Sequence, residues 1–175
     1  MVFDPTPPDI DPNDFILYDW YHQYGDIKEP IPVDAPEALG KSVELRMYVD
    51  ADHASDKATR QSRTGFFIYM NSALIAWSSK RQQTVETSVF RSEFVAMKTG
   101  IEALRGIRYK LRMMGIPIGG PNYIYGDNKL VITNSTKPDS KLNMKSHWIC
   151  YHAVRELVAM GGLNQIGSYV GVYQL

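Results

Sequence analysis

Val43-Glu44-Leu45-Arg46-Met47-Tyr48-Val49-Asp50 alternates apolar and polar residues without a break. Val43, Leu45, Met47 and Val49 share one face, and Glu44, Arg46, Tyr48 and Asp50 share the other. Period two predicts a half-buried strand that ends on a carboxylate, Asp50. Asp52, His53, Ser55, Asp56 and Lys57 then read as a polar turn. Downstream, Thr64 to Met70 reads as a second strand and Ala73 to Ser78 as a third. Only Asn71-Ser72 separates them, which predicts an antiparallel hairpin. A long helix follows, capped near Thr87 or Ser88 and ending at Gly115 with Pro117 beyond. Phe90, Phe94, Met97, Ile101, Leu104, Arg108 and Leu111 keep helical spacing. Gly100 and Gly106 weaken that helix and would permit close packing on a sheet. Tyr123-Ile124-Tyr125 is the next strand, 128–134 a short helix, Ser146 to Met160 a further helix closed by Gly161-Gly162, and 163–175 a final strand. The order β-β-β-α-β-α-α-β, with strands in both directions, places the chain in the α/β class in its α+β form, a mixed sheet with helices packed on it.

The charge is unevenly spread. Nineteen basic and nineteen acidic residues give a formal net charge of zero over 175 residues. Residues 1–40 hold nine acids and one base, a net −8, together with seven of the ten prolines. The remainder is +8. Residues 1–42 therefore read as an acidic, proline-rich lead-in, and 43–175 as the folded domain. Phe15, Tyr18, Trp20, Tyr21 and Tyr24 are too many aromatics for a free linker. They dock either on the domain or on a neighbour outside this chain. A single cysteine, Cys150, excludes an internal disulfide framework and a cysteine metal cluster. No apolar run is long enough to cross a bilayer, so no membrane partner is expected. Met1 to Pro5 lacks the basic and hydrophobic regions of a signal peptide, so an intracellular location, cytoplasmic or nuclear, is the expectation.

Asp50, Glu93 and Asp127 are the candidate catalytic residues. Asp50 ends the first strand, Glu93 lies in the first turns of the long helix, and Asp127 ends the strand after it. Strand ends and nearby helix starts converge in sheets of this kind. Converging carboxylates repel unless a cation neutralises them, and oxygen-only ligands suit Mg2+ or Mn2+. Two such ions can activate a water and stabilise the leaving oxygen of a phosphodiester. Each acid taken alone is as readily a turn former, a solvated charge or a helix-dipole partner.

Tyr48-Val49-Asp50-Ala51-Asp52-His53-Ala54-Ser55-Asp56, Arg60-Gln61-Ser62-Arg63-Thr64-Gly65, Ile75 to Gln82, Ser92-Glu93-Phe94-Val95-Ala96, Tyr125-Gly126-Asp127-Asn128 and Cys150 to Glu156 resemble the ribonuclease H domain of copia-type LTR-retrotransposon Pol polyproteins. The resemblance runs over roughly residues 43–162, with 1–40 similar to the spacer after the reverse transcriptase. It implies a ribonuclease H-like fold, a five-stranded mixed sheet flanked by helices. It also implies a metal-dependent endoribonuclease that hydrolyses the RNA strand of RNA–DNA hybrids, with water attacking phosphorus in line to leave a 3′-hydroxyl and a 5′-phosphate. Asp50, Glu93 and Asp127 match three of the family's four metal-binding carboxylates. The fourth, in an Ala-Asp pair of the last helix, has no match, since residues 163–175 contain no acid. The chain thus reads as truncated or diverged there, without the last helix and with a two-ion site that is incomplete.

Lesser candidates for the substrate are Asp52, Arg63, Asn128 and His147. Asp52 either lines the cleft or shapes the turn. Asn128 either orients the substrate backbone or caps the short helix. His147 either approaches a phosphate or is a helix-start or packing histidine of the Ser146–Met160 helix. Arg60, Arg63, Lys80 and Arg81, then Lys98, Arg105, Arg108, Lys110 and Arg112, then Lys137, Lys141 and Lys145 form a basic track suited to a phosphate backbone. Trp77 reads as strand interior first and a stacking platform second. The expected partners are an RNA–DNA hybrid or other nucleic acid and the reverse transcriptase part of a longer polyprotein. The alternative is a catalytically inactive remnant or host-adopted fragment that binds nucleic acid or a partner protein.

Overall fold

The computed structural model describes residues 19–120, 122–140 and 148–160, and the backbone of 165–168. The alternating stretch forms β1 (Leu45–Asp52). Leu45, Met47, Val49 and Ala51 are buried along one face. β1 pairs antiparallel with β2 (Arg63–Met70), in the register Leu45↔Met70 through Asp52↔Arg63. β2 turns back into β3 (Ala73–Arg81), also antiparallel, with one irregularity at Ile68/Tyr69. Asn71 turns this hairpin at φ 54°, a left-handed conformation that asparagine tolerates better than most residues. Its side-chain oxygen accepts from the Glu44 N–H at 3.0 Å, fastening the turn to the start of β1. β3 runs past the expected end at Ser78 to Arg81, because the backbone ladder continues against Thr64 and Arg63 whatever the side-chain charge.

A one-turn helix in the lead-in is α1 (Tyr21–Tyr24), and the long helix is α2 (Val89–Met113). Ser88 caps α2, its side chain accepting from the Arg91 N–H. Phe94, Met97, Ile101, Leu104 and Leu111 are buried on the face that packs on the sheet. Gly100 allows the approach: a Cβ there would lie 2.8 Å from Met47 Sδ. Gly106 has no such role, since a Cβ there would meet nothing within 4 Å.

After α2 the chain returns as β4 (Tyr123–Gly126), parallel to β1 in the register Arg46↔Tyr123, Met47↔Ile124 and Tyr48↔Tyr125. α3 (Lys129–Thr136) and α4 (Trp148–Ala159) follow, and both pack against α2. The fold is thus a mixed sheet of order β3-β2-β1-β4 with helices packed on it. The backbone of Gln165–Ser168, β5, registers parallel with β4. The expected loss of a last helix falls on residues outside those described. Among the described residues no helix is long and apolar enough to cross a membrane.

The part of the lead-in among the described residues docks on this body, whereas Phe15 and Tyr18 lie outside those residues. Trp20 joins the core, with the Arg155 guanidinium 4.9 Å from its ring centroid. Tyr24 Oη and His152 Nδ1 are 2.8 Å apart. The Glu29 carboxylate accepts from Arg108 Nε at 2.9 Å and Arg108 Nη2 at 2.8 Å, and from Arg112 Nη2 at 2.6 Å.

Candidate active site

β1 and β4 are parallel neighbours, so their C-terminal ends lie side by side. Their backbone pairing ends at Tyr48↔Tyr125. Carried two residues further, it sets Asp127 level with Asp50. Glu93 reaches the same place from the second turn of α2. One carboxylate oxygen from each of Asp50, Glu93 and Asp127 lies within 4.8 Å of the other two. Asp50 and Asp127 are exposed, while Glu93 is only 7% exposed.

The electrostatics follow from this arrangement. Burial raises the Glu93 carboxyl most, the charges of Asp127 and Asp50 raise it further, and the Ala51 N–H counteracts them in part. The result is a carboxyl pushed up to about 8. Asp50 is also raised, by burial first, then by the charge of Asp127 and, more weakly, of Asp52. The Ala51 N–H, 2.8 Å from Asp50 Oδ1, opposes that rise. Three carboxylates brought this close without a counter-charge form an oxygen donor set suited to a hard divalent cation.

No family model matches the chain. Over 127 residues it is 32% identical to the retrovirus-related Pol polyprotein from transposon RE1 of Arabidopsis thaliana. That match covers 73% of this chain and 9% of the polyprotein. The chain is homologous to copia-type retrotransposon Pol polyproteins. The corresponding polyprotein of transposon RE2, from the same plant, is 31% identical over 127 residues and again only 9% covered. The chain therefore spans about a tenth of the length of these two polyproteins. Among solved structures, LC11-RNase H1 in complex with RNA/DNA hybrid superposes with a TM-score of 0.55 at 13% identity. It covers 72% of this chain and 85% of that one. The fold is ribonuclease H-like.

In this copia-type homologue three of the four carboxylates expected from the resemblance are brought together. The expected location of the fourth, in the C-terminal helix, falls outside the described residues. Asp52 lies exposed at the end of β1, opposite Arg63 in register, and adds its charge to Asp50 from outside the cluster. Arg63 is exposed at the start of β2. Asn128 caps α3: its Oδ1 accepts from the N–H groups of Leu130 at 3.1 Å and Val131 at 3.2 Å, which supports the capping alternative. His147, Lys141 and Lys145 lie outside the described residues.

The basic track needs correction. Arg108 is 5% exposed and bound to Glu29 and to Asn122 Oδ1, so it is a structural cation with no access to a phosphate. Arg112 shares Glu29, Arg81 pairs with Asp56 at 3.0 Å, and Lys98 pairs with Glu102 at 2.7 Å. Arg60, Arg63, Lys80, Arg105, Lys110 and Lys137 remain exposed. Trp77 is also corrected. It stands 70% exposed on the edge strand, opposite Phe67 and on the sheet face away from α2. Sequence reasoning quoted Gln82 only as part of a motif and gave it no role. It is a buried amide that joins Thr64 to the start of α2.

Proposed function

We propose that this chain is a metal-dependent endoribonuclease that hydrolyses the RNA strand of RNA–DNA hybrids. The observation that carries the reading is the meeting of Asp50, Glu93 and Asp127 on a ribonuclease H-like sheet. Asp50, Glu93 and Asp127 would hold Mg2+ or Mn2+ in a one- or two-ion site. Bound there, the ions would neutralise charge on the scissile phosphate and activate a water for attack. The exposed carboxylates of Asp50 and Asp127 face the incoming backbone, and the buried Glu93 supports the site from the helix side. Its raised pKa leaves it protonated near neutrality until a cation offsets the shared negative charge.

Arg63, Arg60 and Lys80 would hold phosphates without reading sequence. Asp52, and His147 ahead of α4, would border the same groove, whereas Asn128 acts chiefly through α3. Residues 1–42 would connect to a reverse transcriptase part, and 43–175, with β5 as the fifth strand, would be the nuclease unit acting inside the cell. The resemblance to copia-type Pol polyproteins and the hybrid bound by LC11-RNase H1 support this assignment.

A second reading has one observation in its favour. No acid lies between Glu156 and Leu175, so these 175 residues hold only three of the four expected carboxylates. Under that reading the chain binds a hybrid or a partner protein and does not cut. A labelled RNA–DNA hybrid incubated with Mg2+ or Mn2+ separates the two. Cleavage that Asp50→Asn and Asp127→Asn each abolish supports the nuclease. Cleavage that survives both substitutions refutes the assigned site, and hybrid binding without cleavage selects the second reading.

A further inference from the structure

Gln82 follows β3 directly and is 5% exposed. Its backbone N–H donates to the Ser62 carbonyl at 2.7 Å. Its side-chain Nε2 donates to Thr64 Oγ1 at 3.0 Å and to the Ser92 carbonyl at 2.9 Å. Ser92 is fully buried and immediately precedes Glu93. Its own hydroxyl donates to the Val89 carbonyl at 2.8 Å and lies 3.2 Å from His53 Nδ1. The same imidazole nitrogen lies 3.4 Å from Ser62 Oγ, which accepts from the Ala54 N–H at 3.0 Å. One buried polar node therefore joins the turn after β1, the start of β2, the end of β3 and the first turns of α2. These elements deliver Asp50 and Glu93.

The Gln82–Ser92 bond is not required by the helix. A helical carbonyl has a second lone pair beyond the one used by its own ladder, and Gln82 takes that. The amide cannot be turned over without setting its oxygen against the Ser92 oxygen. In the orientation present, Oε1 has no partner among the described residues. Burying such an oxygen costs stability that a leucine of similar volume would not cost. The amide is therefore a poor choice for packing and a good one for fixing where the Ser92–Glu93 turn lies on β2. We propose that Gln82 is a positioning residue, clamping the start of α2 to Thr64 so that the Glu93 carboxyl is held against Asp50 and Asp127. The proposal rests on the metal-binding reading of those three acids.

The test is titration of Mn2+ alone into the full, metal-free chain by calorimetry, with thermal melting alongside. Gln82→Leu should bind Mn2+ about 10- to 100-fold more weakly, the usual cost of losing a residue that orients a ligand. Thr64→Val, which removes one of the two side-chain bonds, should lose affinity in the same direction by less, and Thr64→Ser should restore it. Ile101→Val, a core change in the middle of α2, should lower the melting temperature and leave Mn2+ affinity unchanged. Wild-type affinity in Gln82→Leu overturns the proposal, as does a loss in Ile101→Val that tracks its lower melting temperature. If Gln82→Leu does not fold, Thr64→Val against Thr64→Ser decides by the same criterion. A wild-type chain that binds no Mn2+ overturns the metal reading itself. Wild-type binding with an indifferent Gln82→Leu overturns only the role of Gln82.

Discussion

Replacing Glu93 with glutamine should stabilise the metal-free protein at neutral and alkaline pH, although it removes a candidate ligand. Burial and the charges of Asp127 and Asp50 move this carboxyl from 4.5 to about 8 in the folded chain. The folded state then holds the proton more tightly than the unfolded state does. The group's favourable contribution is complete below about pH 4.5 and is lost as pH rises through about 8. Full ionisation across that interval corresponds to about 5 kcal/mol, and at pH 7 the cost is about 3 kcal/mol. Relaxation and water entry reduce both figures, so a gain of about 1 to 3 kcal/mol is expected for Glu93→Gln near pH 7.5. In a chain of 175 residues each kcal/mol moves Tm by about 2 to 4 °C. The variant should therefore melt about 2 to 12 °C higher than the wild type. The assay is thermal unfolding by circular dichroism with chelator present, at pH 4 and pH 8. The difference should be clear at pH 8 and vanish toward pH 4, where both side chains are neutral. Saturating Mn2+ should reverse the order, since a ligand at a hundredfold excess over its Kd adds about 2.7 kcal/mol to the form that binds it. A Glu93→Gln protein no more stable than wild type at pH 8, or an advantage unchanged at pH 4, would refute the account of the cluster.

Two further outcomes can be checked by denaturation. Glu29→Ala strands the buried Arg108 guanidinium and should cost about 3 to 5 kcal/mol in urea unfolding. Burial alone would raise Glu29, but its bonds to Arg108 and Arg112 outweigh that and lower it. Its stabilisation is therefore present above its ordinary value and lost as pH falls through the lower folded value. Glu29→Gln should lack that part of the acid sensitivity. Of the two helical glycines, Gly106→Ala should stabilise by about 0.5 to 1 kcal/mol, whereas Gly100→Ala must displace the buried end of Met47, which offsets the helix gain, and should be neutral or destabilise by up to about 1 kcal/mol. An equal gain in both variants would show that α2 does not press on β1 at Gly100.

The strands and the long helix were legible because their signals are local. Alternation from Val43 to Asp50 and the spacing of Phe94, Met97, Ile101 and Leu104 each report one face of one element. The grouping of Asp50, Glu93 and Asp127 was legible in part. Their positions at element ends suggested it, and the resemblance to the copia-type domain narrowed it to one function. Arg108 was misjudged as a phosphate contact because its partner, Glu29, lies 79 residues earlier in the chain. Trp77 was misjudged because nothing in Ala73 to Ser78 says that the strand stands at the sheet edge. Gln82 escaped notice because a lone glutamine carries no periodic signal.

By itself the sequence determined the order of elements from β1 to α4, the hairpin at Asn71-Ser72, a cap at Thr87 or Ser88 and the three acids at element ends. All of these depend on residues within a few positions of one another. Only the tertiary structure decided which charges are spent inside the fold. It docked the acidic lead-in on Arg108 and Arg112, left Trp77 at the edge and gave Asn128 to its helix. It also set one carboxylate oxygen from each acid within 4.8 Å of the others. Those outcomes depend on the register between β1 and β4 and on the seating of α2. Both are set by long-range burial and pairing, which no short stretch of sequence contains.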